Sequence, residues 1–229
     1  MDGVTYISEE FKVSGRFEYI RKNRNIYDGM KHCNAESQGV DLNRNYGYKF
    51  AHDNQGSSGR ECAEDYRGPS AFSEPETAAM RDFLIGHPKI QVALNFHAWG
   101  PLFIMPYNSD SSPANSGVSK KAQKFYDEVF DHTGVPKGYI LGNGAKTIGY
   151  TANGEASDWM LHELGIYAAS PELGIDMREA EDFFIRSKGA LIALVRQNFD
   201  WIEHTMLLLF EKIDCQQVKS AVTRTKLDS

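Results

Sequence analysis

Apolar runs that stop on polar side chains limit what this chain can fold into more than any other feature. Residues 39–42, 90–96, 102–107 and 166–170 are short and apolar enough to be strands, and helical patterns lie between them. That alternation is the habit of an α/β protein built on a largely parallel or mixed sheet. In open α/β sheets, ligands collect beyond the carboxyl ends of the strands. Three of the runs deliver polar groups there: Asn43, Arg44 and Asn45 after the first, His97 after the second and Glu172 after the last.

The clearest helix is expected to begin at Ser73. Ser73 and Glu76 make a capping box, Pro75 suits the first turn, and Gly86 with Pro88 closes the segment. Ala79, Met80, Phe83 and Leu84 would form its buried face. A second helix follows from the spacing of Val118, Ala122, Phe125, Tyr126 and Val129, and stops before Gly134. The third, over residues 156–164, ends at Gly165 and carries Trp159 and Leu164 inward. A long helical region over residues 180–210, with a break expected at Gly189, leads into a polar tail. The chain thus divides into a body, residues 1–213, and a frayed tail, residues 214–229; residues 54–59 read as a flexible loop.

With 41% hydrophobic residues among 229, the chain can bury a real core. Its formal net charge is −6 and its basic residues are scattered, which argues against a nucleic-acid partner. The most apolar stretch, residues 206–210, follows Glu203 and His204 and falls far short of the roughly 20 residues a spanning helix needs, so no membrane span is expected. No basic segment followed by an apolar run opens the sequence, so no signal peptide is read in it. Cys33, Cys62 and Cys215 allow one disulfide with a thiol left over, or three separate thiols. The loop-like surroundings of Cys33 and Cys62 favour pairing those two.

Several side chains can carry chemistry, each with a plainer alternative. His97 ends an apolar run, where a histidine serves either as a hydrogen-bonded core residue or as a metal ligand. Catalytic zinc takes three protein ligands and keeps one position open, yet no His-Glu-x-x-His or His-x-x-Glu pair occurs anywhere in the sequence. Glu172, after Pro171 at a strand end, is either a surface residue or a desolvated carboxylate suited to general-base work. Arg21 and Arg44 are either solvated or part of a carboxylate-binding cluster. Tyr150, between Gly149 and Gly154, sits on a lid or on an ordinary loop.

The string Gly39-Val40-Asp41-Leu42-Asn43-Arg44-Asn45-Tyr46 resembles the carboxylate-binding strand and turn of the peptidase M14 zinc carboxypeptidases, the carboxypeptidase A/B type. Four more strings follow in that family's order: residues 66–77, Asn95-Phe96-His97, residues 150–159, and Pro171-Glu172-Leu173-Gly174. The resemblance runs from residue 1 to about residue 205.

It implies a twisted mixed β-sheet flanked by helices, lacking the N-terminal strands, because Met1-Asp2-Gly3 looks like the remnant of a turn that follows the family's His-x-x-Glu pair. It makes His97 the third ligand of a catalytic Zn2+, with two further ligands expected upstream of residue 1, and Glu172 the general base. Asn43, Arg44 and Tyr150 would hold the free carboxylate of the substrate, Arg21 would polarise the scissile carbonyl, and Ser157 would floor the side-chain pocket. Cys33 and Cys62 fall near a disulfide of animal members. The activity implied is hydrolysis of the last peptide bond of a peptide or protein C-terminus by a monomer, extracellular or in a lysosome or vesicle. The alternatives are an inactive truncated form and a module that grips C-termini without cutting them.

Overall fold

A computed structural model of the chain describes residues 21–35, 37–98, 100–112, 117–129, 138–174 and 188–225. Its strands are β1 (Val92–Leu94), β2 (Leu102–Ile104), β3 (Ile140–Gly142) and β4 (Tyr167–Glu172). They hydrogen-bond in the order β1-β4-β2-β3, and β1 runs parallel to β4 with Val92 opposite Tyr167 and Leu94 opposite Ala169. The helices are α1 (Pro75–Gly86), α2 (Lys120–Val129), α3 (Gly144–Thr147), α4 (Ala156–Leu164) and α5 (Lys188–Thr225). The architecture is α/β, an open mixed sheet flanked by helices. Among the described residues no helix is long and apolar enough to cross a membrane.

Local chemistry explains where these elements start and stop. The α4 helix opens on Glu155, whose carboxylate accepts the backbone N–H groups of Ser157 and Asp158, and closes on Gly165 at φ 65°. A left-handed residue there is a common helix ending, and glycine adopts it without strain. The α1 helix starts one residue later than the capping-box pattern implies. Its N-cap is Glu74 and Pro75 takes the first turn, because the Ser73 hydroxyl is engaged by Glu74 Oε1 (2.7 Å) and Asn45 Nδ2 (2.9 Å). The expected apolar face is also largely outside: Leu84 is buried, but Met80 and Phe83 are 44% and 52% exposed.

Residues 39–42 do not form a strand. The extended backbone there makes single bonds to two different segments, Asn23 N–H to Val40 O (2.9 Å) and Asp41 N–H to Tyr66 O (2.8 Å), and Leu42–Arg44 then turns as a 3-10 helix. The loop at residues 54–59 is anchored, with Ser58 bridged to Tyr66. The α5 helix passes through Gly189 without a break and continues to Thr225, so no boundary in secondary structure falls at residue 214. The segment before Lys188 where that helix was expected to begin, and the expected stop at Gly134, lie outside the described residues.

Two compact units divide the chain. The first, residues up to 95 with 104–117 and 142–169, holds a core of Tyr46, Leu84, Ala156, Trp159, Met160, Ile166 and Ala168. Phe72 and Tyr46 meet Trp159 with ring centroids 5.2 and 5.7 Å away. A second cluster in the same unit joins Met30, Cys33, Val40 and Tyr66. The other unit, residues 96–103, 118–141 and 170–229, gathers on Trp201, which is 2% exposed. Phe103 packs edge-on against it at 5.5 Å, and its indole N–H donates to Asn198 Oδ1 at 2.9 Å.

Candidate functional site

In the first unit, the turn around Arg44 is fixed from both sides. Asp41 accepts the N–H of Asn43 (3.1 Å) through Oδ1 and Arg21 Nε (2.7 Å) through Oδ2. Asn45 donates to Arg67 O (2.8 Å) and Ser70 O (3.0 Å) and accepts Thr77 Oγ1 (2.6 Å), which ties the turn to the start of α1. Gly154, at φ 69°, lies so close that a Cβ on it would sit 2.3 Å from Arg44 O. No side chain larger than hydrogen fits that contact.

The Arg44 guanidinium this turn presents is 5% exposed. Its Nε donates to Gly56 O and its Nη1 to Asn43 O at 2.8 Å. Gly56 reaches it because its own backbone, at φ 63°, passes where a Cβ would meet Thr151 O. Among the described residues no carboxylate lies within ion-pair distance of Arg44. A cation so placed is costly unless something anionic compensates it.

Asn43 bridges this turn to a buried acid pair. Its Nδ2 donates to Glu155 Oε1 (3.3 Å) and its Oδ1 accepts the N–H of Ala156 (3.1 Å). Glu155 also accepts from Ser157 N (2.8 Å), Ser157 Oγ (2.5 Å), Asp158 N (3.1 Å) and Asn108 Nδ2 (3.1 Å). Asp158 accepts the N–H groups of Asn108 (2.7 Å) and Ser109 (2.9 Å) and the Ser109 hydroxyl (2.9 Å). Burial first, and the charge of Glu155 second, push the Asp158 carboxyl up to about 7 against the pull of those bonds. Ser157 is fully buried with its hydroxyl committed to Glu155, whereas Tyr150 is 50% exposed. Asn108 and Ser109 escaped the sequence reading, which held Glu155 and Asp158 only as members of the string 150–159. The capping position of Glu155 was the one signal that could have found them.

In the second unit, His97 and Glu172 form a parallel bridge at the ends of their strands. His97 N–H donates to Pro171 O (2.8 Å) and its carbonyl accepts the N–H of Leu173 (2.8 Å). Residues paired across a ladder project to the same face. Both are half-buried. His162 belongs to the first unit, its ring tilted against Tyr48 with centroids 4.1 Å apart.

Zinc needs two more protein ligands than His97 supplies. Among the described residues one group of three potential ligands lies together, His32, Cys33 and Cys62, and its two sulfurs are joined in a disulfide. The described residues therefore do not complete a catalytic zinc site.

A family model described as zinc carboxypeptidase, Peptidase_M14, matches residues 1–200. Human carboxypeptidase A5 is 33% identical over 156 residues, covering 67% of this chain and 33% of that protein. Human mast cell carboxypeptidase A is 33% identical over 164 residues, covering 70% of this chain and 38% of that protein. The chain thus spans about a third of the length of these curated relatives. Carboxypeptidase A from Helicoverpa armigera superposes with a TM-score of 0.65 at 25% identity, covering 87% of this chain and 48% of that one. Bovine thrombin-activatable fibrinolysis inhibitor, solved with a tick carboxypeptidase inhibitor, gives 0.69 at 23% identity over 89% of this chain and 66% of that one, a likeness of fold. With the family model matching residues 1–200 and relatives 33% identical over two thirds or more of this chain, the chain belongs to the peptidase M14 family of zinc carboxypeptidases.

Proposed function

We propose that this chain carries the substrate-gripping and proton-transferring parts of a metallocarboxypeptidase that hydrolyses the C-terminal peptide bond of peptides and proteins. The observation that carries the reading is Arg44, a buried guanidinium bonded to carbonyls and to no carboxylate of the described residues. A substrate's terminal carboxylate supplies the missing charge, with Asn43 oriented beside it by Glu155 and Tyr150 on an exposed loop able to close over it. Arg21, steadied through Nε by Asp41, is the arginine that polarises the scissile carbonyl. Ser157 sets the side-chain preference through its bond to Glu155. Glu172 takes the proton of the attacking water and passes it to the leaving amine, and His97 beside it is one ligand of the family's zinc.

The described residues do not supply the other two zinc ligands. Without them the same residues bind a C-terminus and leave it uncut. The Cys33–Cys62 disulfide fits an extracellular or vesicular setting.

The test uses one labelled peptide with a free C-terminal carboxylate and its amidated twin. Fluorescence anisotropy should show the free acid binding more tightly. Arg44→Ala should weaken it by roughly ten- to a hundredfold, the equivalent of a charged hydrogen bond of about 1.5–3 kcal/mol, and leave the amide unchanged. Equal binding of both peptides would overturn the anchor. Elemental zinc, together with release of the terminal amino acid, separates an enzyme from a binding module.

A further inference from the structure

We propose that Cys33, Cys62 and His32 form a redox-gated metal site: closed as a disulfide in this structure, and able, once reduced, to hold a zinc-class cation through two thiolates and one imidazole. It shares no ligating residue with the carboxylate-binding group proposed above, so this inference stands or falls separately from the peptidase reading.

The geometry is that of a site already assembled around a bond. His32 Nε2 lies 3.3 Å from Cys62 Sγ and 4.0 Å from Cys33 Sγ. Tetrahedral zinc, with Zn–S near ~2.3 Å and Zn–N near ~2.05 Å, sets nitrogen and sulfur about 3.6 Å apart. The imidazole is therefore in place, and only the two sulfurs must part, to about 3.8 Å. Their Cα atoms are 5.3 Å apart. Rotation about each Cα–Cβ bond can supply the separation without moving the backbone.

What keeps the two loops together once the bond is cut is independent of it. The buried Lys22 ammonium donates to Ser37 O in the Cys33 loop and to Glu61 O and Ala63 O, both at 2.9 Å, on either side of Cys62. Met30, Val40 and Tyr66 pack around the same junction. A dithiol released there stays pre-arranged, which lowers the entropy lost on metal binding.

Access comes from one side. A groove of about 370 Å³ is lined by His32, Arg60, Glu61, Cys62 and Ala63, while Cys33 is buried. A dithiol reductant attacks Cys62 Sγ from this groove, gives up two electrons and two protons, and leaves as its own disulfide, with Cys33 and Cys62 as thiols. Binding Zn2+ then releases those two protons to solvent. The groove leaves space for water as the fourth ligand, and its lining carries one cation, Arg60, and one carboxylate, Glu61. Two sulfurs and one nitrogen select zinc, cadmium or cobalt over magnesium or calcium.

The test uses the full chain carrying Cys215→Ser, once oxidised and once reduced with a water-soluble phosphine and desalted without oxygen. The reduced protein should take up one more equivalent of Zn2+ than the oxidised protein. Co2+ should give a thiolate-to-metal charge-transfer band in the reduced form alone. His32→Ala should weaken binding by more than the ~10–100-fold that loss of a merely supporting residue costs. Equal metal uptake in both redox states, no thiolate band, or unchanged affinity in His32→Ala would each overturn the proposal. If reduction itself loosens the fold, recovery of the far-ultraviolet circular dichroism on adding one equivalent of Zn2+ supports the site, and failure to recover refutes it.

Discussion

Asp158 gives the fold a pH dependence opposite in sign to that of an ordinary paired carboxylate. Its carboxyl is raised from 3.8 to about 7, first by burial and then by Glu155. Because the folded pKa lies above the unfolded one, the folded chain holds a proton that the unfolded chain releases, and stability falls as pH rises between those two values. At ~1.4 kcal/mol per unit the full span is worth at most roughly 4 kcal/mol, and pH 5 to 7 covers about two-thirds of it. The groups facing Asp158 from neighbouring elements are Glu155 and the phenols of Tyr48 and Tyr107; burial raises both phenols further, Tyr107 to about 12, so neither ionises in this window. Urea unfolding of the parent and of Asp158→Asn at pH 5, 6, 7 and 8 isolates the effect of the Glu155–Asp158 pair, since carboxylates outside that pair titrate alike in both. The variant should lose about 1–3 kcal/mol at pH 5, where an amide replaces one acceptor of Ser109. The parent's stability should then fall towards or below the variant's by pH 8. Parallel curves across the range would show that no proton is held there and would sink the argument.

Two further substitutions test the scaffold. Gly154→Ala must move either its own backbone, at φ 69°, or Arg44 O, which its Cβ would meet at 2.3 Å; we expect a loss of about 1–3 kcal/mol in urea unfolding together with weaker free-acid peptide binding, and an unchanged midpoint would refute the contact. Cys33→Ser opens a crosslink of sequence separation 29 and should cost about 2–4 kcal/mol under oxidising conditions while leaving stability under reducing conditions nearly unchanged, as read by thermal melts with and without reductant.

Much of the fold was legible wherever one local rule sufficed. The α4 helix was expected at residues 156–164 with Trp159 inward, and it is there because a carboxylate caps its start and a left-handed glycine its end. The start of α1 was mislocated because two rules competed for Ser73. The capping-box rule counts sequence spacing, but the Ser73 hydroxyl is claimed by Asn45, 28 residues away, and by Glu74. Residues 39–42 looked like a strand because they are extended and apolar. Sequence carries no sign that they make single bonds, one accepted from Asn23 N–H and one donated to Tyr66 O, rather than a ladder. The β3 strand was missed for a related reason: Ile140–Gly142 is short and not fully buried, so little apolar alternation marks it.

For the candidate site, legibility followed the same division between what a strand end presents and what holds it there. His97 and Glu172 could be picked out because each terminates an apolar run, and the parallel bridge places them side by side. The support of Asn43 could not, since it depends on Asn108, whose amide meets Glu155 across 47 positions of sequence. That support bears on why Arg44 has no carboxylate partner among the described residues. Glu155 sits one residue from the backbone that Arg44 abuts, and an acid so near would ordinarily be claimed by the arginine. Instead its two oxygens are occupied by donors from Ser157, Asp158, Asn108 and Asn43, so that hydrogen bonds rather than a cation satisfy it. Glu74 is handled in the same way. Burial alone would push its carboxyl up, yet bonds from Tyr27, Asn23, Ser73 and Asn25 outweigh that and hold it below the usual range. By satisfying buried acids with neutral donors, this unit keeps Arg44 without an internal carboxylate partner among the described residues, which is the condition a carboxylate-binding site requires.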